Sequence, residues 1–469
     1  MQGANLTQTA PGNKVRVGLG ARVRLALGRF FLYWWSLHPM VIQIVQKQIS
    51  ILSMFIFVLQ LCACFVLCFG QNQAIIKNNA SHYPTNLHNG LSEATGNFSV
   101  ELLYHATKMQ GKQNLIVSPI TTWTVLAVTA EGALNKTRFQ LTRALRIHRN
   151  RSIIRNNFQE IARWLTVNTN TVELAKLNAI FLDKLKILEV DFRRQAKTFY
   201  DTDTFDLDFA DTAATAATIN GAVSLRTKGR IPKLIDESHL LDAQLIIVSA
   251  VYFKGQWTSP FNVSSTTKQN FYNSSGVKIG EVNMMYNRYT YPFSNIKELK
   301  ARVIELPYGI ENRLSMLLML PNPGVTLEDM FLSFKTVPLD TVFQELKVSQ
   351  DEYGDDEIDC FIPRFKIESN LELNEILKEG LGIRDLFDES KANLGRMARK
   401  PMYVSKVIHK AEIEVTEEGT TASGATAAEF ANRIGVIRFE ANRPFSYLIV
   451  EKVTNTIVFG GVYQQPILY

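Results

Sequence analysis

The chain has 469 residues, 46% of them hydrophobic and 20% charged, which is enough apolar material for a large packed core and unlike the composition of a disordered chain. Its net charge of +7 does not describe a nucleic-acid-binding face. Residues 1–70 hold six basic side chains (Lys14, Arg16, Arg22, Arg24, Arg29, Lys47) and no acidic one, and the remainder is close to neutral.

In chain order, the first feature is an uninterrupted apolar run at residues 51–70, ILSMFIFVLQLCACFVLCFG, of bilayer-spanning length. Lys47 before it and Gly70 at its exit favour a signal peptide within an N-terminal extension (1–70) over an uncleaved anchor, with Met40 and Met54 as alternative starts. Secretion to the extracellular space without stable membrane association is the expectation. Asn-x-Ser/Thr sequons at Asn79, Asn97, Asn135, Asn150, Asn262 and Asn273 fit that route, since glycosylation at them requires it. Cys62, Cys64 and Cys68 lie in the apolar run, so the exported chain would keep Cys360 alone and form no internal disulfide.

Residues 71–95 are polar and Asn/His-rich, and read as a flexible segment ahead of a single domain over 96–469. Phe98, Leu102, Leu103 and Ala106 recur at helical spacing. Ser118-Pro119 suits the cap and first position of a second helix through Trp123, Leu126, Ala127 and Ala130. Residues 174–182, 245–253 and 314–320 are apolar almost throughout, as in strands buried on both faces. Residues 358–367 alternate, and 444–451 with 456–462 read as a closing hairpin turning near Thr454-Asn455. The fold class is α+β.

Catalytic signals are missing. The sequence holds no G-x-S-x-G, H-E-x-x-H, Walker A loop or C-x-x-C pair, and its seven histidines lack metal-ligand spacing. Cys360 sits among Ile358, Phe361 and Ile362 and reads as a buried structural thiol. No enzyme activity, cofactor or metal is expected.

The unusual stretch is EEGTTASGATAA at residues 417–428, small and mostly uncharged, between strand-like segments at 409–415 and 436–439. In an extended conformation Thr420, Ala422, Gly424, Thr426 and Ala428 share one face, and all are small enough to enter a packed sheet without overpacking it.

Several motifs then resemble the serpins in serpin order: NLIVSP (114–119), AVYFKGQW (250–257), VNMMY (282–286), VIELPY (303–308), IPRFKIE (362–368), VSKVIHKAEIEVTEEGTTA (404–422), NRPF (442–445) and VFGGV (458–462) with Pro466. The resemblance implies three β-sheets surrounded by about eight or nine helices, with an exposed reactive-centre loop over 417–438. It implies a monomeric suicide substrate for a trypsin-like serine protease, which would be trapped as a covalent acyl-enzyme when the cleaved loop inserts into the main sheet. Counting from the hinge places the scissile bond between Arg433 and Ile434, and arginine there suits a protease with a carboxylate in its specificity pocket. Arg438 is the next candidate. The hinge would comprise Glu417, Glu418, Gly419, Thr420, Thr421, Ala422, Ser423, Gly424 and Ala425, with Glu417 paired to Arg364. Trp257 would lie where insertion starts, and Ser118, Thr121, Ser249 and His409 would form a polar cluster beneath the parting strands.

The chain departs from the family pattern at Ser249 (usually Asn), Thr121 (commonly Ser) and Gly221-Ala222 (frequently with Trp). The shorter Ser249 is expected to weaken the cluster's hydrogen bonding. A non-inhibitory serpin (carrier, storage or chaperone) is the alternative, but its usual mark is charged, bulky or proline residues in the hinge, and none lies between Gly419 and Ala428. Secreted serpins with this arginine resemble regulators of clotting, immune and melanisation cascades, including arthropod ones. Arg143, Arg146, His148, Arg149, Arg151 and Arg155 read as a solvated helix end, with a sulfated polysaccharide as the alternative ligand.

Overall fold

The computed structural model describes residues 89–469 apart from 166–168, 170, 311, 312, 355 and 419–436. The first half runs α1 (Asn89–Gln110), β1 (Leu115–Val117), α2 (Pro119–Gly132), α3 (Asn135–Ala144), α4 (Arg151–Trp164), β2 (Val172–Asp183), α5 (Val190–Tyr200), β3 (Thr202–Leu207), α6 (Thr212–Arg226) and β4 (Leu245–Gly255). There follow β5 (Thr267–Tyr272), β6 (Lys278–Tyr289), β7 (Phe293–Ile296), β8 (Ala301–Tyr308), β9 (Leu314–Pro321), α7 (Leu327–Ser333) and α8 (Leu339–Tyr353). The chain closes with β10 (Ile358–Pro363), β11 (Phe365–Glu372), β12 (Lys406–Val415), β13 (Ile437–Glu440), β14 (Phe445–Glu451) and β15 (Thr456–Tyr463).

The strands form three sheets: five strands in the order β11-β12-β4-β2-β3, six in the order β1-β15-β14-β9-β8-β7, and four in the order β13-β10-β6-β5. With eight α-helices among the described residues, this is the α+β architecture expected. Helix α2 is buried along its whole length, as an all-round apolar helix must be. In β4 the alternation of side chains separates two cores. Leu245, Ile247, Val251 and Phe253 join the main core, while Ile246, Val248 and Ala250 pack under α6 with Leu177, Phe181, Ile219 and Val223.

Three local differences from the sequence reading have physical causes. Helix α1 starts at Asn89, inside the segment expected to be flexible, because Ala94 and Thr95 are already buried against the body. The alternating run at 358–367 is two strands in different sheets, broken after Pro363, which cannot donate to a ladder. Ser118 occupies the cap position of α2 without capping it, since its hydroxyl donates to the Val458 carbonyl at 2.7 Å instead. The VFGGV glycines mark a close approach. A Cβ on Gly461 would stand 2.1 Å from the Leu115 carbonyl oxygen, so only glycine lets β15 pair with β1 here.

Candidate functional site: the parting strands and the hinge

In the five-stranded sheet, β4 and β12 are direct parallel neighbours, from Lys406 opposite Ile246 to Ile413 opposite Phe253. Their neighbours on either side, β2 and β11, are antiparallel to them. A parallel pair at the centre is slightly weaker per residue than an antiparallel one, and β12 leads straight into the small-residue segment. A strand returning between β12 and β4 would be antiparallel to both.

Beneath this seam the structure brings together Ser118, Thr121, Ser249 and His409, all buried. The Ser118 backbone N–H donates to His409 Nε2 at 2.9 Å, which fixes the neutral tautomer with its proton on Nδ1. That nitrogen lies 3.2 Å from Ser249 Oγ. Ser249 Oγ donates to Thr121 Oγ1 at 2.7 Å, and Thr121 Oγ1 donates to the Ser118 carbonyl at 3.2 Å. The four residues therefore close a ring of hydrogen bonds that ties α2 to β4 and β12. Complete burial lowers the His409 pKa to about 4, because the charged form is desolvated.

Ser249 thus keeps two hydrogen bonds despite its shorter side chain. Asn178, directly opposite Ser249 on β2, is buried with its Oδ1 unpartnered. The sequence carried no sign of this, because the pairing of residues 178 and 249 depends on strand register.

Beyond the C-terminal end of β12 a second cluster holds the start of the segment expected to be the hinge. Glu417 is buried, and its carboxylate accepts from Thr266 Oγ1 at 2.6 Å and lies 3.5 Å from Arg364 Nη1. The Glu417 carbonyl accepts from the Phe261 N–H at 3.0 Å, and the Thr416 carbonyl from Trp257 Nε1 at 2.9 Å. Trp257 in turn stacks on Tyr308 with ring centroids 4.4 Å apart. The shorter contact, to Thr266, was not anticipated, since nothing in the sequence links positions 151 apart. Glu418 is exposed. Gly419, Thr420, Thr421, Ala422, Ser423, Gly424, Ala425, Arg433 and Ile434 lie outside the described residues, as do Asn79 and residues 51–70.

The family model described as serpin (serine protease inhibitor) matches residues 93–466. The chain belongs to the serpin family. It is 34% identical over 385 residues to the leukocyte elastase inhibitor of Bos taurus, covering 80% of this chain and 99% of that one. Plasminogen activator inhibitor 2 of Homo sapiens is 28% identical, covering 79% and 98%. Among solved structures, native protease nexin-1 with heparin is 26% identical with a TM-score of 0.68, covering 80% and 99%. Human thyroxine-binding globulin complexed with thyroxine, at 24% identity and a TM-score of 0.70 over 80% and 98%, shows the shared fold.

In this serpin Arg438 belongs to β13, where its guanidinium stacks 4.2 Å from the Phe361 ring and pairs with Glu440. Cys360 is fully buried in β10, and burial pushes its thiol pKa up, consistent with a structural thiol. The basic residues before Phe158 divide into two sets. Arg151 and Arg155 lie 3.2 and 2.8 Å from the buried carboxylate of Glu131, and Arg146 pairs with Glu101, while Arg143, His148 and Arg149 are exposed. Of the sequons, Asn135 and Asn150 are exposed and Asn262 and Asn273 partly so. Asn97 lies within α1, flanked by buried Phe98 and Ser99. Among the described residues no group of three metal-ligating side chains occurs, and no helix is long and apolar enough to cross a membrane.

Proposed function

We propose that this serpin is a suicide-substrate inhibitor of a trypsin-like serine protease, attacked at the bond between Arg433 and Ile434. The observation that carries this reading is the seam between β4 and β12. The strands are closed on each other, and β12 runs through a buried carboxylate at Glu417 into a segment of small residues. Those residues can enter the seam without overpacking it.

The protease's serine attacks the Arg433 carbonyl, the Ile434 amine leaves, and an ester joins Arg433 to the enzyme. The freed segment then inserts as a strand antiparallel to β12 and β4, replacing one parallel pair by two antiparallel ones. The acylated enzyme moves with it before water hydrolyses the ester. Arg433 alone supports the trypsin-like specificity, since the relatives are named for different proteases. Export through residues 51–70, with glycans at the open sequons, belongs to the same reading.

Incubation with bovine trypsin tests it. A covalent complex stable to boiling in detergent is expected, with release of a C-terminal peptide beginning at Ile434. Cleavage at Arg433 with no complex would leave a substrate or non-inhibitory serpin, and a peptide beginning elsewhere would move the scissile bond. Arg433→Ala should lower the trypsin association rate at least a hundredfold with the fold intact.

A further inference from the structure

Residues 464–469 leave β15 of the six-stranded sheet and touch the other two sheets in turn. Asn114 holds their start: its Oδ1 accepts from the Gln464 and Gln465 N–H groups at 2.7 and 2.8 Å, and its amide donates to the Gln465 carbonyl at 2.9 Å. Tyr463 Oη accepts from the Ile467 N–H at 3.0 Å. Pro466 lies on Gly280 of β6, where a Cβ would stand 2.4 Å from the proline Cγ. Tyr469 then reaches Arg364 and Glu414 at the edge of the five-stranded sheet.

The anchored segment delivers Tyr469 to one particular cation. The Tyr469 main-chain oxygen accepts from Arg364 Nε at 2.6 Å and from Asn283 Nδ2 at 2.8 Å, and the Asn283 carbonyl accepts from the Arg364 N–H at 2.8 Å. The Tyr469 ring centroid lies 6.0 Å from the guanidinium carbon, and its hydroxyl donates to Glu414 Oε1 on β12. Arg364 is also the residue whose Nη1 stands 3.5 Å from the buried Glu417 carboxylate. Its side chain is 31% exposed, and an arginine loose at such a surface would sample many rotamers. With Nε held by Tyr469, the planar guanidinium fork is fixed and Nη1 stays aimed at Glu417.

We infer that residues 464–469 form a latch on the hinge, with Tyr469 as its positioning residue: by holding Arg364 against Glu417 it sets how readily β12 and β4 part for an entering strand. On the inhibitory reading the chain after Glu417 turns back into the seam, and the contacts of Glu417 resist that turn. A buried carboxylate whose cation becomes mobile keeps Thr266 as its fixed partner, and the charge left without compensation favours the open hinge. The inference rests on the inhibitory reading above and adds to it a residue that controls opening.

Uptake of a synthetic peptide with the sequence of residues 420–431 tests it without a protease, since such a peptide would fill the seam as an added strand. Tyr469→Ala should take up the peptide at least about fivefold faster than the parent, and Glu417→Gln should be faster too. A variant lacking residues 467–469 loses the main-chain oxygen as well and should be at least as fast as Tyr469→Ala. In the Glu417→Gln background, Tyr469→Ala should change the rate by less than about twofold, because both substitutions act on one contact. Merely loosening the surface there would instead add its effect to that of Glu417→Gln. Parent-like uptake in both tail variants, or an acceleration that persists undiminished in the Glu417→Gln background, overturns the latch while the inhibitory reading stands. If the parent takes up no peptide and forms no covalent complex with trypsin, the inhibitory reading fails and this inference falls with it.

Discussion

His409 makes the closed sheet sensitive to acid. Its neutral ring accepts from Ser118 and faces Ser249 in a fully buried site. Burial holds its pKa at about 4 in the folded protein, against about 6.5 for a solvent-exposed imidazole. Between these values the unfolded chain binds the proton and the folded chain does not, so stability rises with pH through this window. The contribution, about 3 kcal/mol, is complete above roughly pH 6.5 and is lost as pH falls towards 4. Thermal midpoints taken from pH 7.5 to 4.5 should fall, and His409→Gln should flatten that dependence; an equal slope in the variant would show that other groups dominate. Asn178 offers a second test at this scale. Its unpartnered Oδ1 costs about 1–3 kcal/mol, and Ser249→Asn supplies an amide donor directly across the ladder. That variant should melt a few degrees higher and open its sheet more slowly, seen as more trypsin turned over per complex formed. A lower midpoint would mean the pocket lacks room.

The elements show what the residues could and could not announce. The buried strands β2, β4 and β9 were legible as apolar runs, and α1 from the spacing of Phe98, Leu102, Leu103 and Ala106, because burial on fixed faces imposes a period. The small side chains expected to form the hinge lie outside the described residues, so the structure does not reach that expectation. By contrast, the pairing of β4 with β12, the break at Pro363 and the Thr266 contact to Glu417 depend on register and on chain segments far apart in sequence. No local pattern encodes them. On the proposed inhibitory reading, Thr420 is the first side chain of the expected hinge to enter the seam. Thr420→Arg would carry an unpaired guanidinium into the core, at a cost of several kcal/mol. It should convert inhibitor to substrate, with loop cleavage by trypsin retained and covalent complex reduced at least tenfold. Undiminished complex formation would contradict entry of that residue into the sheet. Ile219 and Val223 of α6 share an apolar cluster with residues of β2 and β4.

For the whole molecule, the contacts of Trp257, Thr266 and Arg364 with Thr416 and Glu417 tie one end of the five-stranded sheet to the segment that follows it. On the proposed inhibitory reading, the native five-stranded sheet is not the most stable arrangement of this chain, and cutting the loop lets it gain a strand. Thermal unfolding before and after a cut within residues 425–433, made by a protease that the serpin does not trap, measures this directly. The cut protein should unfold at least about 10 °C higher, since an added central strand contributes backbone hydrogen bonds and burial. An unchanged or lower midpoint would contradict loop insertion and the inhibitory mechanism built on it.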